Sequence, residues 1–212
     1  MRLRLPVRFG RRLPQLLLGL VLYGWSMAML IRSGLGLDPW DVFHQGLANH
    51  LPITFGQVTI LVGALVLLLW IPLRQRPGIG TVLNVFVIGL AADAGLAAIP
   101  AVTGLPGQIA MLLGGVVANG LAGALYVGAR LGPGPRDGLW VALTKRTGHS
   151  IRVVRTVLEV TIVAIGWLLG GVVGVGTVVY ALAIGPIVQF FMPWVEVQLE
   201  VQPEASRETT SA

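Results

Sequence analysis

Apolar residues gather into long runs bounded by glycine, proline or charge, and the lengths of those runs set the first expectation. Six reach the roughly 20 mostly apolar residues that a membrane-spanning helix needs: 13–31, 55–73, 79–99, 107–129, 152–170 and 176–194. Period-two alternation is missing, so a barrel of transmembrane strands is not expected. Two shorter segments, 39–50 and 135–146, have helical character but are too brief to cross a bilayer.

The pattern also repeats. A shift of 96 residues lays 13–93 over 109–189 without a gap. Gly36, Pro39 and Asp41 then meet Gly132, Pro135 and Asp137, and Gly78, Gly80, Thr81 and Val82 meet Gly174, Gly176, Thr177 and Val178. These matches fall at turns, which apolar composition alone would not produce. Three spans per repeat is an odd number, so the second half must sit upside down relative to the first. The expected fold is an all-α polytopic membrane protein of six transmembrane helices, arranged as two inverted-topology repeats of three. Each repeat carries a short interfacial or re-entrant helix after its first span. The expected units are a basic N-terminus (1–12), a first membrane repeat (13–99), a second (107–194) and a polar tail (195–212).

Composition supports membrane insertion. Hydrophobic residues make up 55% of the 212 residues, charged ones only 11%, and the mean hydropathy is +0.81. Soluble domains carry about 25% charged residues. The formal charge of +6 does not imply nucleic acid, because the basic residues flank apolar runs without interleaved aromatics. With the N-terminus in the cytoplasm, every Lys and Arg except Arg32 falls in a cytoplasmic segment. That bias predicts six spans with both termini cytoplasmic, in a bacterial plasma membrane. Residues 1–12 resemble the start of a signal peptide, yet the apolar run continues to Ile31 and reads as a retained helix. Cysteine is absent, which excludes disulfides, thiolate metal sites and cysteine nucleophiles.

Candidate chemistry concentrates in the repeated element. Pro39 and Pro135 suit a first helical position, Asp38 or Gly134 the cap before it, and Asp41 or Asp137 the third position. The two aspartates either complement a helix N-terminus or frame a shared cavity where two half-helices converge. In the second case Trp40 and Arg136 would touch solute; Arg136 equally serves as a cytoplasmic topology signal. Glu159 shares a helical face with Arg152 and Arg155, and is either a coupling-ion site or an intrahelical pair. Asp93 aligns with Gln189, so both repeats place a polar side chain at one depth, for a central site or for inter-helix hydrogen bonds. His44 and His50 read as exposed loop residues without a third ligand, so no metal site is expected. No nucleophile elbow, His-Glu-x-x-His helix or phosphate-binding loop occurs, so neither enzymatic activity nor a cofactor is expected.

Four motifs carry a family resemblance: Leu35-Gly-x-x-Pro-Trp-Asp41, Arg76-Pro-Gly-x-Gly-Thr81, Gly132-x-Gly-Pro-Arg-Asp-Gly138 and Gly174-Val-Gly-Thr177. Together, over 13–194, they resemble the YczE branch of the bacterial YitT/YyaS/YczE membrane proteins. The resemblance implies a multi-pass plasma-membrane protein and supplies no catalytic or binding residues. The expected function is a small inverted-repeat transporter of a small or amphiphilic solute, with Asp41, Asp93, Asp137, Glu159, Gln189, Trp40 and Arg136 along the path. The alternative is a non-transporting accessory, scaffold or substrate-capture subunit. Expected partners are the lipid bilayer, a small-molecule solute, and a second copy or another subunit of a membrane complex; nucleic acid is excluded.

Overall fold

A computed structural model describes residues 9–197. The cytoplasmic reading of 1–8 and of the tail beyond 197 lies outside the described residues. Eight helices and no strand occur among the described residues: α1 (Phe9–Ser33), α2 (Pro39–Ala48), α3 (Phe55–Trp70), α4 (Ile79–Ala98), α5 (Leu105–Gly128), α6 (Pro135–Thr147), α7 (Ile151–Leu168) and α8 (Val175–Val195). Four of them, α1, α4, α5 and α8, are long and apolar enough to cross a bilayer.

The helices at two of the expected spans, 55–73 and 152–170, do not meet that measure of length and composition. The first is 16 residues long, so at 1.5 Å per residue it covers about 24 Å. A capping box fixes its start: Thr54 Oγ1 accepts from Gln57 N at 3.1 Å, and Gln57 Oε1 accepts from Thr54 N at 3.0 Å. Its end is set by the turn through Pro72 to Arg74, whose φ is 53°. The second has 18 residues but carries Arg152, Arg155 and Glu159 in its first half.

The helix α1 is the axis of the structure, with Leu16, Leu20, Met27, Ala28 and Leu30 fully buried. It lies between α4 and α5, and glycines set both approaches. A Cβ on Gly24 would sit 2.5 Å from the Ile88 carbonyl oxygen, and one on Gly19 would sit 2.8 Å from Tyr126 N. Contact order gives the directions. Gly24 faces Ile88 and Ala91 while Ala28 faces Gly95, so α1 and α4 run the same way. Gly19 faces Tyr126 while Leu30 faces Gly115, so α5 runs opposite to α1. Gly120 faces Ile187 and Gly128 faces Val195, so α8 follows α5.

The two loops that precede the short helices pair reciprocally with distant helix starts. Gly176 N, at the head of α8, donates to Leu35 O at 2.8 Å; Gly80 N, at the head of α4, donates to Leu131 O at 2.9 Å. Both loops need glycine at one matched position. Gly36 has φ 124° and Gly132 has φ 133°, and a Cβ on either would come within 2.8 Å of Thr177 or Thr81. Outward faces are apolar, with Ile71, Leu168, Val175 and Leu182 largely exposed, as expected where lipid is the solvent.

Candidate functional site

The short helices α2 and α6 bring their N-termini together. Asp38 caps α2 from an extended conformation, its Oδ1 accepting from Trp40 N at 2.8 Å and Asp41 N at 2.9 Å. Gly134 caps α6, and Asp137 Oδ2 accepts from Gly134 N at 3.3 Å and from the Tyr126 hydroxyl at 2.8 Å. Across the gap the Arg136 guanidinium lies over the Trp40 ring, 5.0 Å from its centroid. Its Nη1 is 3.9 Å from Asp38 Oδ1, and its Nη2 is 3.9 Å from Asp41 Oδ1. These are charge contacts, too long for direct hydrogen bonds. Arg136 is one repeat interval on from Trp40, so a residue here touches its own counterpart.

Burial makes the cluster electrostatically strong. Asp41 is fully buried and Asp38 nearly so, whereas the Arg136 side chain is 23% exposed. His44 Nδ1 lies 3.2 Å from Asp41 Oδ1 and 3.4 Å from Thr59 Oγ1. Asp38 Oδ2, Asp41 Oδ2 and Trp40 Nε1 are buried without a hydrogen-bond partner. A second polar chain ties three long helices together: Tyr180 OH donates to Asn119 Oδ1 at 2.8 Å, Asn119 Nδ2 to Ser26 Oγ at 2.8 Å, and Ser26 Oγ to Tyr23 O at 2.6 Å.

Asp38, Trp40, His44 and Arg136 of the first set and Tyr23, Asn119 and Tyr180 of the second line a single cavity of about 710 Å3. Its size falls within the ~300–1,000 Å3 of small-molecule sites. Asp38, Trp40 and His44 line it from the cap and first turns of α2. Arg130, Arg155 and Glu159 line the part nearest the C-terminus of α5 and the N-terminus of α7. No group of three or more metal-ligating side chains occurs among the described residues.

Of the residues singled out in the sequence, Trp40, Asp41 and Arg136 come together in the cluster, and Asp137 faces the same cavity from α6. Glu159 lines the wall while its Oε1 accepts from Arg155 Nε at 2.8 Å; the Arg155 guanidinium rests on Trp140, 4.7 Å from the ring centroid. Gln189 also lines the wall. Asp93 does not: its Oδ1 accepts from Gly56 N at 2.8 Å and its Oδ2 from the Thr54 hydroxyl, so it anchors the start of α3. His44 is buried on α2, against the expectation of an exposed loop residue. From the sequence Asp38 reads only as a cap and His44 as an exposed loop residue, and nothing there singles out Tyr126 or Tyr180. For His44 a signal existed, since it follows Asp41 by three residues and therefore shares its helical face.

Four apolar helices long enough to cross a bilayer, packed around a buried ionic cluster, define a multi-pass helical membrane protein. The chain belongs to the family of unknown function DUF6198, whose model matches residues 10–193. It is similar to an "Uncharacterized protein" of Haemophilus influenzae, 41% identical over 177 residues, covering 84% of this chain and 81% of that one. It is also similar to two Bacillus subtilis proteins. One is the "Uncharacterized membrane protein YczE", 37% identical over 177 residues and 82% of each chain. The other is the "Uncharacterized protein YyaS", 25% identical over 183 residues, 84% of this chain and 91% of that one. The resemblance to the YczE branch is thereby shown. No solved structure matches.

Proposed function

We propose that this protein is a small inverted-repeat transporter of the bacterial plasma membrane, with both termini cytoplasmic. In this reading α1, α3 and α4 cross the bilayer in one repeat and α5, α7 and α8 cross it in the other, related by a pseudo-dyad in the membrane plane. The opposed directions of α1 and α5, and the exchanged bonds Gly176–Leu35 and Gly80–Leu131, support that relation. Re-entrant half-helices whose N-termini converge at mid-membrane are the recurrent solute-binding device of such proteins. The observation that carries the proposal is the contact between Trp40 and Arg136, where the two half-helix starts meet inside the cavity. The positive-inside distribution makes the Arg130 and Arg155 end cytoplasmic. The cavity is therefore inward-open, with α2 closing its outer end, and solute passes when the α2 side opens and the α6 side closes.

The absence of cysteine makes a direct test available. Gly123 lines the cavity, and a Cβ there meets only Val188 at 3.4 Å, an ordinary contact. A Gly123→Cys variant is labelled with a membrane-impermeant thiol reagent in right-side-out and in inside-out vesicles. Alternating access predicts labelling from both sides. Labelling from one side only overturns the transport reading and favours a non-transporting accessory subunit.

A further inference from the structure

The repeat is closed along one seam and open along its counterpart. In the first half α3 and α4 touch backbone to backbone: a Cβ on Gly56 would lie 2.1 Å from the Gly89 carbonyl oxygen, and one on Gly89 would lie 2.5 Å from that of Gly56. Further along, a Cβ on Gly63 would sit 3.3 Å from Val85. The same positions in the second half are Arg152 for Gly56, Glu159 for Gly63 and Gly185 for Gly89. Two long charged side chains replace two contact glycines. Around Gly185 a Cβ would find no heavy atom within 4 Å.

That opening reaches the cavity. Gly185 and Gln189 on α8 are exposed and at the same time line the cavity that holds Asp38 and Trp40. Gly185 stands about 15 Å along α8 from Val175, near mid-depth of a spanning helix. The surfaces flanking it are apolar, with Leu182 on α8 and Val160 on α7 both mostly exposed. A gap at this depth between such surfaces faces hydrocarbon, not water.

The α2 end of the cavity asks for a cation. Asp38 and Asp41 face one guanidinium at 3.9 Å; Asp38 lines the cavity, and its Oδ2 is buried without a hydrogen-bond partner. His44 engages Asp41, and Asp137 is engaged by Tyr126. A buried carboxylate oxygen without a donor is costly, and a positively charged donor removes the cost. The apolar lining of the cavity includes Val62, Val66, Val85 and Ile88 from α3 and α4 and Ile184 and Val188 from α8.

We infer that the substrate is an amphiphile with an ammonium head, admitted sideways from the bilayer between α7 and α8. Its head binds Asp38 and its tail lies along the valine and isoleucine walls. This rests on the transporter reading above, but it is tested by binding and not by access from two sides.

The probes are dodecylamine, dodecanoate and butylamine, each titrated against the protein in phosphatidylcholine nanodiscs while the unfolding temperature of the protein is followed. Dodecylamine is expected to stabilise saturably, butylamine to bind at least about tenfold more weakly, and dodecanoate not to stabilise. Asp38→Asn, which keeps a capping side chain, is expected to weaken dodecylamine by about tenfold or more. Gly185→Trp, remote from the ionic cluster, is expected to weaken dodecylamine similarly and to leave butylamine unchanged. Equal stabilisation by dodecanoate, or unchanged affinity in Asp38→Asn, overturns the head assignment. Unchanged dodecylamine affinity in Gly185→Trp overturns the lateral route. Spontaneous disulfide crosslinking of a Gly185→Cys variant in native membrane also overturns it, since a second copy would then cover the seam. Both-sided labelling at position 123 alongside any of these failures leaves transport standing and removes only the amphiphile.

Discussion

Removing the Arg136 charge tests whether the two half-helix starts are coupled or merely adjacent. Arg136 is the second residue of α6, where the positive helix end opposes it by about 0.3–1 kcal/mol. Something outside α6 must offset that, and Asp38 and Asp41 at 3.9 Å are the available partners. With an effective dielectric of about 20, each contact is worth about 4 kcal/mol before desolvation of the guanidinium is subtracted. Breaking a buried ion pair from one side costs about 3–5 kcal/mol. Arg136 is 23% exposed towards the cavity, so the lower end applies, and Arg136→Gln should destabilise by about 3 kcal/mol. Arg136→Lys should lose less, because it keeps the charge and gives up only the planar stacking on Trp40. The decisive measurement is a double-mutant cycle with Asp38→Asn, using reversible SDS unfolding in mixed micelles read by far-UV circular dichroism. The double variant should be milder than the sum of the single ones by about 1–3 kcal/mol. Additivity to within about 0.5 kcal/mol would refute the coupling and leave Arg136 as a topology signal.

Asp93→Ala should destabilise by about 1–3 kcal/mol in the same unfolding assay, because it orphans Gly56 N and the Thr54 hydroxyl at the start of α3. It should leave the dodecylamine affinity unchanged, since Asp93 does not line the cavity. Asn119→Ala should cost about 1–2 kcal/mol by cutting the Tyr180–Asn119–Ser26 chain between α8, α5 and α1. Tyr180→Phe, which removes only the terminal hydroxyl, should cost less; a larger loss from it than from Asn119→Ala would overturn the assignment of Asn119 as the hub.

Turn chemistry was the most readable part of the chain. The Asp38-Pro39 and Gly134-Pro135 pairs marked the starts of both short helices to the residue, and the Gly-x-Gly-Thr signatures marked the starts of α4 and α8. Backbone requirements of this kind are local, so they are written locally. Span length was less readable. The run 55–73 is apolar to its end, but Pro72 and the turn at Arg74 stop α3 at Trp70. Hydropathy registers the run and not the stop. The roles of polar residues were least readable, because a carboxylate in the first turn of a helix has the same sequence whether it caps or receives. Asp93 anchors α3 and Asp38 borders the cavity, and the difference lies in which element faces each across the interior.

This explains why the repeat revealed the scaffold but not the site. Identities under the 96-residue shift fall where the backbone must be the same in both halves: Gly36 with Gly132, Thr81 with Thr177, Gly78 with Gly174. Where the halves meet, a residue faces its own counterpart, and two identical side chains there would give either like charges or no charge. The pairing at the meeting point is instead Trp40 with Arg136, and the cap position holds Asp38 in one half and Gly134 in the other. An ion pair between repeat-matched positions requires unlike side chains at those positions. Positions of equal register and unlike chemistry are therefore where binding residues of such a repeat should be sought. By that criterion the replacement of Gly56 and Gly63 by Arg152 and Glu159 is the second place of interest in this chain, and it coincides with the open seam beside Gly185.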